Sequence, residues 1–410
     1  MTAVPSSILL PAGKALAEIR LAVNEAQVSE YQLLDNDQEL NRLCQHWRQK
    51  DYLALDTEFV RVDSFYPRLG LIQVNDGEQN YLIDPLQISQ WQAFTDLMQA
   101  DSLVKIFHSC SEDLLVFAHV YKLLPKPVFD TQIANAFLDQ GFALSYQNMV
   151  AEYFGHDIPK GETRSDWLQR PLSDSQLHYA ALDVEYLPEV YRRQRTELEK
   201  LGRLEWLQED CARLRHNYAD ELQQDFSQAY KSMSAAWSFD DTQLSVLKVL
   251  AQWREQRARE RDKPKNWILR DHALLAIARI CPQELSQFSR IEKLNRNFVQ
   301  YEGKKVLELV QEAITHPEPV EHVFPRPLSG SQKKRFKQLQ ACVREHAEKL
   351  SIPVEVLGRK RLLMALFNAV TLQQEAQGRQ EIDRQSLEIP EELQGWRKQI
   401  LLDDLLEILQ

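Results

Sequence analysis

The stretch YLALDTEFV at residues 52–60 combines a strand-like pattern with two acidic residues, Asp56 and Glu58. Because side chains alternate across a strand, residues two apart project from the same face of a sheet. Two carboxylates beside the apolar Leu55 and Phe59 are costly to hold unless a cation compensates them. The stretch therefore predicts a sheet with an acidic pair at a cation site.

The segments after this strand predict a mixed sheet with helices on its faces. Hairpin-joined strands are predicted at residues 52–60, 69–75 and 80–85, with a turn at Asp76-Gly77. Helix and strand then alternate through residues 88–100, 103–109, 111–124 and 127–132. This order is typical of an α/β domain.

The composition changes after about residue 205, beyond which the chain reads as helical without a plausible strand. A proline-rich segment at 315–331 marks a linker. The predicted divisions are an N-terminal extension 1–28, an α/β domain 29–206, a helical linker 207–236, a helical domain 237–316, a linker 317–327 and a second helical domain 328–410.

Charge and cysteine content limit the class of protein. The net charge of -11 over 410 residues argues against a protein that coats nucleic acid along its whole surface, but it allows one basic face. Five scattered cysteines without a CxxC pair predict reduced thiols. The start of the chain shows no targeting signal and no membrane-spanning apolar run, so we predict a cytoplasmic protein without a membrane partner.

Two further acids complete a candidate metal site. Asp113 lies where a predicted strand meets a helix, and Asp183 lies in a predicted helix. Carboxylate oxygens suit hard cations such as Mg²⁺ or Mn²⁺. Two such ions about 3.5–4 Å apart would hold the attacking and leaving oxygens of a phosphoryl displacement. Taken singly, each acid has the alternative of being a solvated surface residue.

The segment SQLHYAALDVEYL at 175–187 offers two proton-handling groups beside Asp183. In a helix, Tyr179 is four residues before Asp183 and shares its face. His178 is five residues before it, roughly 140° around the helix. Tyr179 is therefore predicted to orient the attacking water, and His178 to be a packed or surface residue.

Three motifs in this order resemble the exonuclease motifs of the ribonuclease D family. They are LALDTEFVR with YPRLGLIQ, FHSCSEDLLVF, and DWLQRPLSDSQLHYAALDVEYL. That family belongs to the DEDD superfamily of 3′→5′ exonucleases, whose domain has a ribonuclease H-like fold. The resemblance covers 29–206 and implies that Asp56, Glu58, Asp113 and Asp183 bind two divalent ions.

The spacing of residues in the third motif is compatible with two branches of this superfamily. The superfamily has a tyrosine branch (Y-x-x-x-D) and a histidine branch (H-x-x-x-x-D), and this chain satisfies both with Tyr179 and His178. The context YAALDVEYL resembles the tyrosine branch and agrees with the helical-face argument. Tyr179 is therefore the predicted catalytic residue.

Substrate contacts are predicted next to the motifs. A cation and two aromatic rings lie close together in the sequence at Arg61, Phe65 and Tyr66, an arrangement that suits the binding of a single-stranded 3′ end. The alternative, equally supported, is that the rings cover the sheet edge. Lys160, Arg164 and Trp167 lie in a predicted loop beside the cleft, where solvated charges are the alternative. Asp130 resembles a recurrent family position and is interpreted as structural support.

The helical half carries a local inversion of charge. Residues 251–270 hold seven basic and three acidic side chains, a net +4, which indicates a nucleic-acid face that includes Arg254 and Arg257. A solvated helix with internal ion pairs is the alternative. This region resembles the helicase-and-RNase-D C-terminal (HRDC) domain, an all-α nucleic-acid-binding module, and 328–410 resembles it more weakly.

Together these features predict a 3′→5′ exoribonuclease that uses two Mg²⁺ or Mn²⁺ ions and releases 5′-mononucleotides. The resemblance implies trimming of precursor tRNA or other small structured RNAs with a single-stranded 3′ end, and no obligate protein partner is predicted. The alternatives are a DNA 3′→5′ exonuclease of repair type and a catalytically inactive nucleic-acid-binding scaffold. The presence of all four acids and Tyr179 argues against the scaffold.

Overall fold

The structure is a computed structural model that describes residues 30–159, 161–162, 165–223, 225–321, 324, 327–378 and 381–410. The chain forms two compact units. Unit 1 contains the described residues within 1–60, 68–222 and 333–410, and unit 2 contains those within 61–67 and 223–332.

Unit 1 is built on one six-stranded sheet. The strands are β1 (Tyr31–Leu34), β2 (Tyr52–Val60), β3 (Arg68–Asn75), β4 (Asn80–Ile83), β5 (Val104–Phe107) and β6 (Val128–Asp130). Their order is β1-β4-β3-β2-β5-β6, with β3 antiparallel to both neighbours and every other pair parallel. The predicted mixed sheet is confirmed.

The hairpin between β3 and β4 turns at the predicted dipeptide. Gly77 has φ of 89°, a left-handed conformation that suits glycine. Its N–H donates to the Asn75 side chain at 2.7 Å. Strand β1 was not predicted, because its four residues, YQLL, lie at the sheet edge and precede the motifs.

The register of β2 against β3 decides which residues share the site. Asp56 lies opposite Gln73 and Glu58 opposite Leu71, with a β-bulge between Glu58 and Phe59. Residues opposite each other in an antiparallel pair project from one face. The acidic pair therefore shares its face with Gln73 and Leu71, and a bulge of this kind increases the local twist and re-aims side chains.

Helices account for most of the remaining chain. In chain order they are α1 (Asp37–Trp47), α2 (Gln92–Gln99), α3 (Ser111–Val120), α4 (Thr131–Phe137), α5 (Tyr146–Phe154), α6 (Asp174–Glu185), α7 (Leu187–Lys200), α8 (Leu204–His216), α9 (Ala219–Gln223), α10 (Asp241–Glu260), α11 (Lys265–Ile268), α12 (Asp271–Ile280), α13 (Arg296–Thr315), α14 (Gly330–Leu350), α15 (Val354–Leu357), α16 (Lys360–Gln377) and α17 (Trp396–Leu409). The described residues beyond 205 contain no strand, as predicted.

The two faces of the sheet carry separate apolar cores. Leu53 and Leu55 of β2 belong to a large core that also contains Leu114 and Phe117 of α3. The opposite face carries a smaller cluster of Leu71, Leu82, Trp167, Tyr179 and Ala180, in which α6 supplies the last two residues. Helices thus cover both faces, as an α/β architecture requires.

The last helical segment belongs to unit 1, together with the sheet domain. Arg397 of α17 forms two hydrogen bonds of 2.6 Å with the carboxylate of Asp210 in α8. The Trp206 and Trp396 rings stack with their centroids 4.7 Å apart. Residues 333–410, which make up most of the segment 328–410 predicted as a second helical domain, therefore pack against the sheet domain through aromatic and ionic contacts.

The described helices also bear on membrane association. None of them combines the length and hydrophobicity that crossing a bilayer requires.

Candidate active site

The four predicted acids come from three elements of unit 1. Asp56 and Glu58 lie on β2, Asp113 lies in the first turn of α3, and Asp183 lies in the last turns of α6. Carboxylate oxygens of Asp56, Glu58 and Asp183 all lie within 4.8 Å of one another. The structure therefore gathers three of the acids into one cluster.

Asp113 approaches the cluster from the other side of the sheet. Its helix α3 packs on the core that contains Leu53 and Leu55, whereas α6 packs on the opposite face. The Thr57 hydroxyl donates a hydrogen bond to the Asp113 carboxylate. Because Thr57 stands between Asp56 and Glu58 in β2, this bond ties Asp113 to the strand that carries the acidic pair.

The electrostatics show that the four acids act on one another. Loss of hydration raises the pKa of Glu58 to about 9, and repulsion from Asp183 and Asp113 adds to the rise. Loss of hydration likewise raises the pKa of Asp113 and of Asp183 to about 7. Burial, followed by repulsion from the other three acids, raises the pKa of Asp56 well above its ordinary value.

The raised pKa values of the four acids indicate that the site lacks a compensating positive charge among the described residues. Four carboxylates with little hydration ionise together only when a cation compensates their charge. Their oxygens are the donors that hard divalent cations prefer. Gln73, opposite Asp56, adds a fully buried amide whose nitrogen and oxygen have no hydrogen-bond partner among the described residues. The donor set therefore fits a divalent metal site.

Tyr179 lies against this cluster. Ser173 and Gln176 form a capping box that starts α6 and fixes its register. One turn before Asp183, Tyr179 is buried, and its hydroxyl hydrogen-bonds to the Asp183 carboxylate. Burial, with repulsion from Asp183 next, raises the pKa of the phenol, so the hydroxyl keeps its proton at neutral pH.

His178 lies on a different side of the same helix. Its side chain is half-buried, and its Nδ1 atom has no hydrogen-bond partner among the described residues. The pKa shifts of the four acids have no contribution from His178 among their main causes. The catalytic assignment of Tyr179 over His178 stays a prediction, and the Tyr179 to Asp183 hydrogen bond favours it.

The segment before α6 is fixed to the sheet by Arg170. Its guanidinium forms two 2.7 Å hydrogen bonds with the Asp84 carboxylate and a third with the Gly70 carbonyl. A Cβ at Gly70 would lie 2.5 Å from the Trp167 carbonyl oxygen, so only glycine permits this close approach. These contacts seat α6 over β3 and thereby place Asp183.

Asp130 has the structural role that the sequence predicted. Its carboxylate accepts N–H bonds from Gln132 and Ile133 at the start of α4. It also accepts the N–H groups of Ser109 and Cys110, just before α3. Asp130 thus fixes the turn from which Asp113 projects.

The predicted substrate residues have varied surroundings. Lys160 and Arg164 lie outside the described residues. Trp167 is 1% exposed and packs against Tyr179, so it is a core residue. Its burial does not support the predicted substrate contact.

Arg61, Phe65 and Tyr66 belong to unit 2. The backbone N–H groups of Phe65 and Tyr66 donate to Asp262 at 2.9 Å, and the Arg259 guanidinium lies 4.3 Å from the Phe65 ring centroid. The loop is therefore anchored, and contact of its side chains with substrate stays a prediction.

Arg254 and Arg257 make intramolecular ion pairs. Arg254 is buried and bonds to the Leu269 carbonyl and to Asp271. Arg257 bonds to Glu302 and Glu260. Their neighbours thus match the alternative of internal ion pairing, and their contact with nucleic acid stays a prediction.

Sequence reasoning missed Thr57 and Gln73. Thr57 is the central residue of the D-T-E triplet, where alternation points it away from the acids, so only the position of α3 reveals its bond to Asp113. Gln73 became a neighbour of Asp56 only through the β2–β3 register.

Comparison with known proteins identifies the family. The 3'-5' exonuclease family model matches residues 31–199, the HRDC domain model 243–310, and the model for the ribonuclease D C-terminal HRDC domain 331–405. Ribonuclease D of Pseudomonas paraeruginosa is 38% identical over 382 residues, which cover 93% of this chain and 98% of that protein. The chain belongs to the ribonuclease D family.

Further relatives agree with this assignment. Ribonuclease D of Escherichia coli is 34% identical over 385 residues, 93% of this chain and 98% of that protein. Its crystal structure, described as an exoribonuclease involved in structured RNA processing, matches with a TM-score of 0.79 and covers 93% of this chain and 99% of its own. This ribonuclease D family member is thus a 3′→5′ exoribonuclease, and its family depends on divalent metal ions.

Proposed function

We propose that this ribonuclease D family enzyme trims the 3′ ends of precursor tRNA and other small structured RNAs with the help of two divalent ions. Each cycle would release one 5′-mononucleotide. The observation that carries this proposal is the cluster of Asp56, Glu58 and Asp183 oxygens within 4.8 Å of one another, with Asp113 bonded beside them.

Asp56, Glu58, Asp113 and Asp183 would hold the ions, which we propose to be Mg²⁺ or Mn²⁺ because the donors are carboxylate oxygens. When bound, such ions supply positive charge at the scissile phosphate and lower the pKa of water. The acids contribute by staying ionised in the loaded site, and the Thr57 bond keeps Asp113 aligned.

Tyr179 would position the attacking water. Its phenol keeps the proton because burial raises its pKa, so the hydroxyl acts as a hydrogen-bond partner and not as a base. The bond to Asp183 fixes the direction of the hydroxyl beside the cluster. Orientation by a fixed hydroxyl lowers the entropic cost of attack.

Two lines of support favour structured RNA as the substrate. The Escherichia coli relative is described as acting in structured RNA processing. Two HRDC matches follow the exonuclease match, and additional binding modules suit a folded RNA body behind a single-stranded 3′ end. We also propose a cytoplasmic location, which the five free thiols favour, and action without an obligate protein partner.

A 3′-labelled RNA tests the proposal. With Mg²⁺ or Mn²⁺, the wild-type enzyme should release the labelled 5′-mononucleotide at once, and Asp56→Asn should release far less. Internal cleavage products would contradict an exonuclease. Faster digestion of a matched DNA tail would favour the DNA-repair alternative, and binding without turnover would favour an inactive scaffold.

A further inference from the structure

Unit 2 contains a cavity of about 560 Å³ that the exonuclease mechanism does not use. Its walls come from α11, from the start of α12, from the turn before α13 and from the first turns of α13. Its floor includes the apolar side chains of Ile268, Leu269 and Phe298, which are buried. The cavity is thus a formed concave surface with an apolar base.

Two aromatic rings on the wall are unusually exposed. Trp267 is 64% exposed, and Tyr301 is 72% exposed. Most large apolar side chains of this unit are buried in its core, including Trp253 and Phe288. A planar partner that stacks on these exposed rings would bury their apolar faces away from water.

Cationic side chains surround these rings. Arg261, Arg270 and Lys293 line the cavity with one acid, Glu302, and Lys293 also pairs with the neighbouring Glu292 at 3.4 Å. Glu302 is buried and already compensated by Arg257 and Arg261, at 2.9 Å and 2.5 Å. The rim is therefore positive in a chain whose net charge is -11.

Arg270 is the cation best placed to meet an external anion. Its side chain is exposed and has no ion-pair or hydrogen-bond partner among the described residues. Arg254, which lies earlier in the same basic run, is instead buried. It pairs with Asp271 and donates a hydrogen bond to the Leu269 carbonyl. The sequence run of basic residues thus contains both structural arginines and one arginine available to a ligand.

Amide side chains complete the lining. Asn266, Asn295 and Asn297 border the cavity and are exposed. Amides can both donate to and accept from the edge of a nucleobase. Rings for stacking, cations for phosphate and amides for base edges together match the chemistry of a single-stranded nucleotide.

We propose that this cavity binds an unpaired nucleotide of single-stranded RNA, with its base stacked on Trp267 and Tyr301 and its phosphate held by Arg270. The inference rests on the proposed RNA substrate and names a second point of contact on it, separate from the carboxylate cluster. RNA is favoured over a protein partner because the rim is cationic and its one acid is internally compensated.

The test compares two exposed tryptophans of unit 2. Trp237 is 44% exposed and does not line the cavity, so Trp237→Ala is the matched control for Trp267→Ala. Affinity is measured by fluorescence anisotropy in EDTA, which prevents hydrolysis, for an RNA hairpin with a 3′ tail and for the same hairpin without one. Trp267→Ala should bind the tailed RNA on the order of tenfold more weakly, and Trp237→Ala should bind it as the wild type does.

Two further measurements sharpen the result. Arg270→Gln should lower the slope of log affinity against log salt by about 1, because one phosphate contact is lost. Oligouridine should quench tryptophan fluorescence in the wild type and in Trp237→Ala but much less in Trp267→Ala. Equal affinities of the two alanine variants for the tailed RNA would overturn the proposal and would favour a protein partner for this cavity.

The two proposals fail in different ways. If the proposed exonuclease function is wrong, the wild-type enzyme with Mn²⁺ releases no mononucleotide from a 3′-labelled RNA. If only the nucleotide site is wrong, that release occurs and the tryptophan variants bind alike.

Discussion

At the scale of single residues, the Tyr179 hydroxyl has a partner that explains its role. The hydroxyl bonds to Asp183 and keeps its proton, since burial raises its pKa. Tyr179→Phe removes this oxygen and leaves the ring packed against Trp167. We expect kcat to fall on the order of a hundredfold with little change in stability, as single-turnover assays with labelled RNA would show.

His178→Ala is the matched control for that variant, because it changes the adjacent residue of the same helix. Its turnover should stay near the wild-type value. If Tyr179→Phe were fully active and His178→Ala inactive, the assignment to the tyrosine branch would be wrong.

The raised pKa values of the four clustered acids predict that the stability of the metal-free enzyme depends on pH. A carboxyl whose pKa rises on folding destabilises the fold as pH increases from the ordinary value of 3.8 toward the raised values of about 7. Asp56→Asn removes one of these charges. In EDTA the variant should be more stable than the wild type by roughly 1–3 kcal/mol at pH 8 and equally stable near pH 4.

Urea unfolding at the two pH values measures this difference. Adding Mg²⁺ should stabilise the wild type more than Asp56→Asn, because binding stabilises the folded protein in proportion to the ions it holds and the variant holds fewer. A wild type more stable than Asp56→Asn at pH 8 in EDTA would show that the acids are already compensated within the protein.

At the scale of elements, the contact between β3 and the segment before α6 positions the third motif. Gly70→Ala would place a Cβ 2.5 Å from the Trp167 carbonyl oxygen. Backbone cannot move aside easily, so we expect a loss of roughly 1–3 kcal/mol in the free energy of unfolding and weaker metal binding. Urea denaturation and Mn²⁺ titration measure the two effects.

Gly330→Ala is the control for this substitution. Gly330 begins α14, and a Cβ there would meet nothing within 4 Å. It should leave both stability and metal binding within experimental error or slightly raise stability. Equal effects of the two variants would rule out the close approach as the reason for glycine at position 70.

Much of this element level could be predicted from the sequence. The D-x-E pair, the Asp76-Gly77 turn and the alternation after residue 88 identified β2 to β6, because local pattern and burial agree there. β1 was missed because four residues at a sheet edge carry too little pattern. The approach of Asp113 from the opposite face was hidden because it depends on how α3 packs and not on spacing.

At the scale of the whole molecule, the last helical segment is held to the sheet domain by a nearly buried ion pair. The side chains of Arg397 and Asp210 are 10% and 11% exposed, and they form a bidentate contact. Arg397→Met leaves Asp210 without its main cation in a poorly hydrated site. We expect a loss on the order of 3 kcal/mol in unfolding free energy by urea denaturation.

The exposed pair of Arg384 and Asp403 provides the comparison. Its side chains are 48% and 87% exposed, so Arg384→Met should cost less than about 1 kcal/mol. Similar losses in Arg397→Met and Arg384→Met would mean that the buried pair does not stabilise the docking of residues 333–410.

Nucleic-acid contacts were the least predictable part of the molecule. The basic run at 251–270 was visible in the sequence, but it does not distinguish Arg254, which is buried in an ion pair, from the exposed Arg270. That distinction depends on which acids fold against the helix. Tyr301 lay outside the run altogether and reaches the cavity only because α11 and α13 both pack against α10.

The central claim is that four carboxylates from both faces of the sheet form one site for a pair of divalent ions. Titration with Mn²⁺, with the free ion counted by electron paramagnetic resonance, tests it most directly. The account predicts two Mn²⁺ ions bound per wild-type chain and loss of at least one of them in Asp56→Asn. Wild-type protein that binds no more Mn²⁺ than Asp56→Asn would contradict it.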